Sequence, residues 1–253
     1  MALVLLFSAC GAESAATPQS STPTLPVTTA AANPTDAATL NTANSPAASS
    51  ATSSSTADIL NRASDTFNKL QTVYLNLDIR QGKLEINGLE VKQVEGYLQQ
   101  PDRYQVQVKV GFFVGEFKVP VTGLNGEQYM RNEFGQWNLS KPEEKLNLAA
   151  LLDRQTGMGA AMLKLRNPVL LGNETLQGTP VYHLQGVIAG TDIAQLTLNK
   201  LGTKDATMEL WINQSNTQLV QASLKENAGS NPANWVFNFS KFNEAVTIQK
   251  PQS

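Results

Sequence analysis

The chain of 253 residues has a single cysteine, Cys10, and a single histidine, His183. With so few ligands and nucleophiles, neither a common zinc cluster nor a supported Cys-His or Ser-His pair can be assembled. His183 falls in an alternating segment with Val181 and Gln185, which predicts a surface position on a strand. We therefore expect no catalytic residue, no metal and no cofactor.

Charge is scarce and balanced. Charged residues make up 16% of the chain, and all 19 basic residues and all but two of the 21 acidic ones follow residue 56. That region therefore carries no net formal charge, and no basic stripe marks it for nucleic acid or for strong attraction to anionic lipid. No apolar run in it is long enough to cross a membrane.

Residues 11 to 56 lack aromatic and basic residues and consist almost wholly of Ala, Ser, Thr and Pro. Prolines interrupt any helix, and too little apolar surface is present to form a core. Counting Cys10, the composition predicts a disordered tether over 10–56, with a root-mean-square span of roughly 35 to 40 Å. The remainder, 57–251, is long enough for one domain with a substantial interior.

The chain starts with an apolar run that ends in small residues and then cysteine, Leu5-Leu6-Phe7-Ser8-Ala9-Cys10. This is the pattern of a bacterial lipobox, in which cleavage precedes a cysteine that becomes acylated. We expect 1–9 to be a signal peptide, truncated at its start because no basic residue precedes the run. A lipidated Cys10 would anchor the protein to the outer face of the cell membrane, outside the cytoplasm. A buried core cysteine is disfavoured because the next segment cannot fold.

The region 57–251 begins with a helical pattern, for which Thr56 is the predicted cap, and continues with alternating apolar residues from Val73. About ten such segments, separated by turn signals and ending at 245–249, predict a long antiparallel sheet. A second helical pattern runs from Leu146 to Asn167 and is divided at Gly157 and Gly159. These elements indicate the α+β class with helices on one face.

The order of these segments resembles the LppX/LprG family of lipid-carrying bacterial envelope lipoproteins across nearly all of 57–251. The matching pieces are Ile59 to Ile79, Leu152 to Met158, Gly172 to Gly186, Glu209 to Ile212 before Gln218 to Ala222, and Ser240 to Phe242 before Val246 to Pro251. The sequence departs from the family pattern at Arg154-Gln155, where Pro-Asp is more usual. The identity of the cargo is therefore not carried over.

The resemblance implies a strongly curved antiparallel half-barrel, similar to the lipoprotein carriers LolA and LolB. Helices packed across its concave face would enclose an apolar cavity that binds a multi-acyl lipid or glycolipid and carries it through the envelope. Our hypothesis for the lining is Val106, Val108, Phe113, Phe117, Leu148, Leu151, Leu152, Met158, Met162 and Leu165. The expected partners are this lipid and the membrane, with no nucleic acid and the protein a monomer.

Two alternatives remain open at this point. The first is a tethered interaction or scaffold module whose half-barrel is packed solid, since methionines such as Met158 and Met162 also serve as ordinary core fillers. The second is a LolB-like receptor for lipoproteins, which differs from the carrier only in its cargo. An apolar void beneath 146–167 would favour the carrier over the module.

Overall fold

The computed structural model describes residues 55–86, 88–112, 115–194, 196–197, 204–227, 229 and 231–252. Helix α1 spans Thr56–Asn68. The hydroxyl of Ser55 accepts a hydrogen bond from the amide of Asp58, so the cap lies one residue before the predicted Thr56. The side chains on the apolar face of α1 are buried, namely Ile59, Leu60, Ala63 and Phe67.

Within the described residues, twelve strands form one antiparallel sheet, where the sequence predicts about ten. In chain order they are β1 Thr72–Gln81, β2 Glu85–Ile86, β3 Leu89–Gln99, β4 Arg103–Phe112, β5 Gly115–Leu124, β6 Glu127–Arg131, β7 Trp137–Leu139, β8 Arg166–Leu176, β9 Thr179–Ile188, β10 Ala206–Asn213, β11 Leu219–Glu226 and β12 Asn234–Ser240. Their order across the sheet is β7-β6-β5-β4-β3-β1-β12-β11-β10-β9-β8, with β2 paired to β3. The sheet is not closed, and β7 and β8 are its edges.

One face of the sheet is dry and the other is polar. Residues of β10 alternate strictly between buried and half-buried, as the period of two predicts for a strand covered on one side. The helices cover the dry face, where the rings of Phe67 and Phe239 meet edge to face at 5.2 Å. We refer to this dry side as the inner face and to the polar side as the outer face.

The predicted strand at 245–249 does not form. Strand β12, which precedes it, already lies between β1 and β11, so the chain cannot turn back and pair beside β12. The tail instead runs across the end of the sheet, where the hydroxyl of Thr72 donates to the carbonyl of Glu244 at 2.6 Å. Ile248 is buried there. The alternation of apolar and polar residues at 245–249 thus agrees with the burial of Ile248, but the strand pairing that it predicts does not occur.

The helical stretch before β8 consists of a 3-10 helix, Leu148–Leu152, and helix α2, Met158–Leu163. The predicted division at Gly157 is confirmed, since Gly157 is the residue before α2. The second predicted division is wrong, because Gly159 lies inside α2. A Cβ at Gly159 would sit 2.1 Å from the side-chain oxygen of Asn68, so this glycine allows α1 and α2 to approach closely.

Candidate functional site

Eight of the ten predicted lining residues lie together in the apolar cluster between the helices and the inner face. Each is at most 9% exposed. They come from β4, the 3-10 helix, α2 and the residue just before β8, and they are Val106, Val108, Leu148, Leu151, Leu152, Met158, Met162 and Leu165. Phe113 lies outside the described residues, as does Cys10. The structure thus places these eight side chains in one buried apolar cluster, and their role as the lining of a lipid cavity stays a prediction.

Phe117 is the exception, because 46% of it is exposed. It pairs with Val110 across β4 and β5, as Val119 and Val121 pair with Val108 and Val106, so it shares their face. Val121 is buried and Val119 is half-buried, while Phe117 near the end of β5 is not covered. Phe117 is therefore at the rim of the apolar layer and not in its interior.

A buried polar residue, Gln128, holds the helical stretch at its start. Its side-chain oxygen accepts from the hydroxyl of Tyr104 at 2.7 Å and from the amide of Leu146 at 2.8 Å. Its amide nitrogen donates to the hydroxyl of Ser140 and to the carbonyl of Glu144. Gln128 is fully buried, and burial raises the pKa of Tyr104, so this network stays neutral. It fixes where the chain enters the layer above the sheet.

The two α-helices are joined by one buried hydrogen bond. The hydroxyl of Ser64 on α1 donates to the carbonyl of Gly159 on α2 at 2.8 Å. The side-chain nitrogen of Asn68 donates to Ser64, and no partner within the described ranges reaches the buried oxygen of Asn68. The close contact between the helices also depends on the missing side chain at Gly159, against which the Asn68 side chain lies.

Asp153 organises the turn between the 3-10 helix and α2. One of its carboxylate oxygens accepts from the amides of Gln155 and Thr156 and from the hydroxyl of Thr156, at 2.7 to 2.9 Å. These hydrogen bonds, that from the hydroxyl foremost, hold the pKa of Asp153 below its ordinary value of 3.8. A Cβ at Gly157 would approach the carbonyl of Asp153 to 2.4 Å, so the turn also requires glycine there.

We expect Asp153→Ala to lower the free energy of unfolding by about 1 kcal/mol at neutral pH, because the turn is exposed and water replaces part of each lost hydrogen bond. The folded pKa is depressed, so this contribution is present above the unfolded pKa and is lost as the pH falls through the folded pKa. Urea unfolding of wild type and variant at pH 7 and in strong acid measures the difference. Asp65→Ala, which removes an exposed carboxylate from α1, is the control. A difference that is unchanged by acid would contradict this role for the carboxylate.

Trp235 is a site residue that the sequence reasoning missed. It lies on β12 with its side chain 1% exposed, and its indole N–H has no hydrogen-bond partner among the described residues. A buried indole N–H normally finds an acceptor, so this donor is a cost to the folded protein. The alternation of 234–240 places Trp235 with Phe237 and Phe239 on the inner face, and that signal was available in the sequence.

The two larger described openings lie away from the eight buried side chains. The first, of about 730 Å³, is a groove on the outer face whose walls are rich in Asn and Gln side chains, among them Asn76, Asn213, Gln218, Gln221 and Asn238. The second, of about 610 Å³, lies beside the β2–β3 turn and the start of β5. Neither is lined by the residues predicted to line the cavity.

His183 lies on the outer face, as predicted for a surface residue, but only 12% of its side chain is exposed. Its ring nitrogens lie 2.7 Å from Glu174 and 3.1 Å from Glu209, and its ring stacks on Trp211 at 4.4 Å. The bond with His183, followed by that with Trp211, holds the pKa of Glu174 below its ordinary value of 4.5. This cluster ties the edge strand β8 to β9 and β10. It lies across the sheet from the candidate site.

No helix in the described ranges is long and apolar enough to span a bilayer. Over the same part of the chain, no group of three or more His, Cys, Asp or Glu side chains is placed to hold a metal ion. The candidate site therefore consists of apolar side chains and a few buried polar groups.

The architecture defines a class of protein, an open antiparallel sheet with short helices packed over one face. Within that class the chain belongs to the LppX_LprAFG lipoprotein family, whose model matches residues 55–248. The family resemblance drawn from the residues is thus confirmed. No curated protein sequence matches the chain.

Solved structures agree on the fold. LprF from Mycobacterium bovis is 19% identical with a TM-score of 0.63, over 78% of this chain and 97% of LprF. LppX from Mycobacterium tuberculosis is 16% identical with a TM-score of 0.58, over 77% of this chain and 98% of LppX. A LolA superfamily protein from Nitrosomonas europaea also matches, at 13% identity, but its TM-score of 0.29 carries no argument. At these identities the similarity establishes the fold alone.

Proposed function

We propose that this protein is a membrane-anchored lipoprotein that binds a multi-acyl lipid or glycolipid between its helices and its sheet and carries it through the cell envelope. The observation that supports this most is the apolar cluster that contains seven side chains from β4, the 3-10 helix and α2, with Leu165 just before β8, in a chain of the LppX_LprAFG lipoprotein family. The anchor is the lipidated Cys10, and the protein acts outside the cytoplasm as a monomer. Its role is to bind lipid and not to catalyse a reaction.

Apolar burial is sufficient to drive such binding. An acyl chain that leaves water gains about 0.8 kcal/mol for each buried methylene, so two or three chains bind tightly without any polar contact. Specificity then depends on the volume of the site and on the few polar groups that reach it. A long alkyl chain needs a long apolar wall, and the inner face extends over many strands of an open sheet.

The cargo enters when the layer of helices separates from the sheet of the half-barrel. The eight lining side chains belong to one buried apolar cluster and are at most 9% exposed, so a lipid must displace the helices or rearrange their side chains. Met158 and Met162 suit this change, because unbranched thioether side chains adopt many rotamers. The hydrogen bond from Ser64 of α1 to Gly159 of α2 is neutral and costs little to break.

Two buried polar atoms without partners suit the polar part of the cargo. The indole N–H of Trp235 is a donor that an ester or amide carbonyl would satisfy, and the side-chain oxygen of Asn68 would accept from a hydroxyl or amide N–H. Satisfying an unpaired buried group recovers its desolvation cost. These atoms therefore favour an acyl ester or amide over a plain hydrocarbon.

The test is to purify the full chain from a lipid-producing bacterial host and analyse it by native mass spectrometry. We expect a co-purifying lipid that extraction removes and that a fluorescent fatty acid replaces, with a matching rise in probe fluorescence. Trp235→Phe, which keeps the ring and removes the N–H donor, should weaken binding of an acyl ester more than binding of an alkane. Recovery without lipid, together with no uptake of the probe, would reject the proposal.

The alternative, a tethered interaction or scaffold module, is favoured by two observations. The eight side chains fill their part of the interior to 9% exposure or less, and the larger groove of about 730 Å³ is polar and on the outer face. If the interior stays filled, that groove is where a partner would bind. A LolB-like receptor remains a variant of the carrier in which the acyl chains belong to a lipoprotein, and identification of the co-purified molecule separates the two.

A further inference from the structure

An exposed apolar patch lies at one edge of the sheet. Leu163, the last residue of α2, is 53% exposed, and the consecutive residues Val169, Leu170 and Leu171 on β8 are 49%, 39% and 51% exposed. We call these four residues the apolar edge. Val169 and Leu170 pair with Gln185 and Leu184 and so point to opposite sides of the sheet, which places the exposed apolar side chains around the edge of the strand. Such a cluster on an edge strand marks a surface that contacts something.

The apolar edge is not built to receive another β-strand. Pro168 has no backbone N–H, and Asn167 has a φ of 49°. The pairing of β8 with β9 shifts register twice, between Arg166 and Val169 and between Leu170 and Gly172. Proline and bulges on an edge prevent edge-to-edge pairing. The partner of this surface is therefore not a strand from a second copy of the chain.

The position of the apolar edge points to a lipid bilayer. Helix α1 packs against both α2 and β8. The described chain begins at Ser55, directly before α1, and the segment that precedes it leads back to Cys10. An anchored Cys10 would therefore be joined to the domain through the helix that packs against α2 and β8, the two elements that carry the apolar edge.

The charged side chains Lys164 and Arg166 beside the apolar edge form ion pairs. Lys164 lies 3.2 Å from Asp192, and Arg166 lies 2.6 Å from Asp205. Among the described residues, Lys164 and Arg166 beside the patch are thus neutralised in ion pairs, so we expect the attraction of the patch to a membrane to be apolar. Such binding depends little on salt or on the share of anionic lipid.

We propose that the apolar edge inserts into the surface of the bilayer, and that cargo passes there between the membrane and the inner face. The second part rests on the proposed function, whereas the first does not. Helix α2 serves both, because Met162 is buried in the apolar layer while the adjacent Leu163 is exposed. A helix that contacts lipid on one side and the binding site on the other couples docking to loading.

Docking is tested on the full-length protein reconstituted into phosphatidylcholine vesicles. A bimane fluorophore is attached at Leu171→Cys or, as the matched control, at Phe134→Cys, which is 80% exposed on the turn before the opposite edge strand. Any label on Cys10 is common to both variants and cancels. With bromines on the lipid acyl chains, the label at 171 should lose most of its fluorescence, in low and high salt alike, and the label at 134 should not. Equal loss at both positions, or none at 171, would overturn the proposal.

Cargo transfer then separates docking from binding. The variant carrying Val169→Ser and Leu171→Ser should take up a soluble fluorescent fatty acid as the wild type does, and accept the same fatty acid from vesicles about tenfold more slowly, a difference of 1.4 kcal/mol. Phe134→Ser should leave both rates unchanged. Equal rates of transfer in the double variant and the wild type would show that cargo does not pass at the apolar edge. If the wild type takes up no fatty acid at all, the proposed function fails, and the quenching result still decides docking.

Discussion

We expect Met162→Trp to lower the affinity for an acylated probe about tenfold or more and to lower the free energy of unfolding by about 1–3 kcal/mol. Met162 is fully buried in the layer between α2 and the inner face. An indole is larger and stiffer than a thioether, so it occupies the space that an acyl chain would take and cannot adjust to one. Titration with a fluorescent fatty acid measures binding, and urea unfolding measures the cost to the fold.

Leu163→Trp is the matched control for this substitution. It places the same side chain on the adjacent residue of α2, which is 53% exposed, and so adds bulk without filling the interior. We expect its affinity for the soluble probe and its stability to match those of the wild type. If Met162→Trp binds the probe as well as Leu163→Trp does, Met162 does not line the site.

We expect Cys10→Ala to release the protein from the membrane into the soluble fraction and to leave lipid binding in solution intact. The predicted thioether-linked diacylglycerol, with the acylated amine, supplies the two or more chains that stable anchoring requires, and without it the attachment is lost. Fractionation of cells measures the release, and the fluorescent fatty acid measures binding. Delivery of lipid in cells should fall, because a freed carrier no longer stays within reach of the bilayer.

A restored anchor distinguishes loss of tethering from damage to the domain. Fusing the Cys10→Ala chain to an unrelated membrane anchor, with the stretch 11–56 retained, should recover delivery. Shortening that stretch in the fusion should reduce delivery once its roughly 35 to 40 Å span no longer lets the apolar edge reach the membrane. Normal delivery by the soluble form would contradict a role for the anchor in transfer.

The sheet was predictable because its signal is local. The side chains of each strand alternate between the buried and the solvent-facing side of the sheet. Apolar residues at alternate positions, such as Val73, Leu75 and Leu77, therefore predict both the strand and its buried face. The same signal at 245–249 predicted a strand that does not exist. Pairing requires a free edge, and whether one is free depends on where β12 lies among its neighbours. Burial of Ile248 satisfies the pattern without pairing.

The candidate site was predictable in part for a similar reason. Helical spacing placed Met158 and Met162 on one side of α2, and the resemblance to the family supplied the element that this side covers. Phe117 shares that face of the sheet, yet it is half exposed because the apolar layer does not cover the end of β5. The sequence of β5 alone does not show how much of the sheet is covered. The indole N–H of Trp235 likewise has no hydrogen-bond partner among the described residues, and this depends on which acceptors the neighbouring elements place near it.

The sequence by itself determined the α+β class, the antiparallel sheet and the resemblance to a lipoprotein family, since periodicity, turn residues and motif order are properties of neighbouring residues. Only the tertiary structure decided that Ser64 meets Gly159, that Gln128 holds the helical stretch, and that β8 is an edge with exposed leucines. These depend on contacts between residues far apart in the chain. Such contacts form only when the elements pack together, and that packing cannot be read from any short stretch of the sequence.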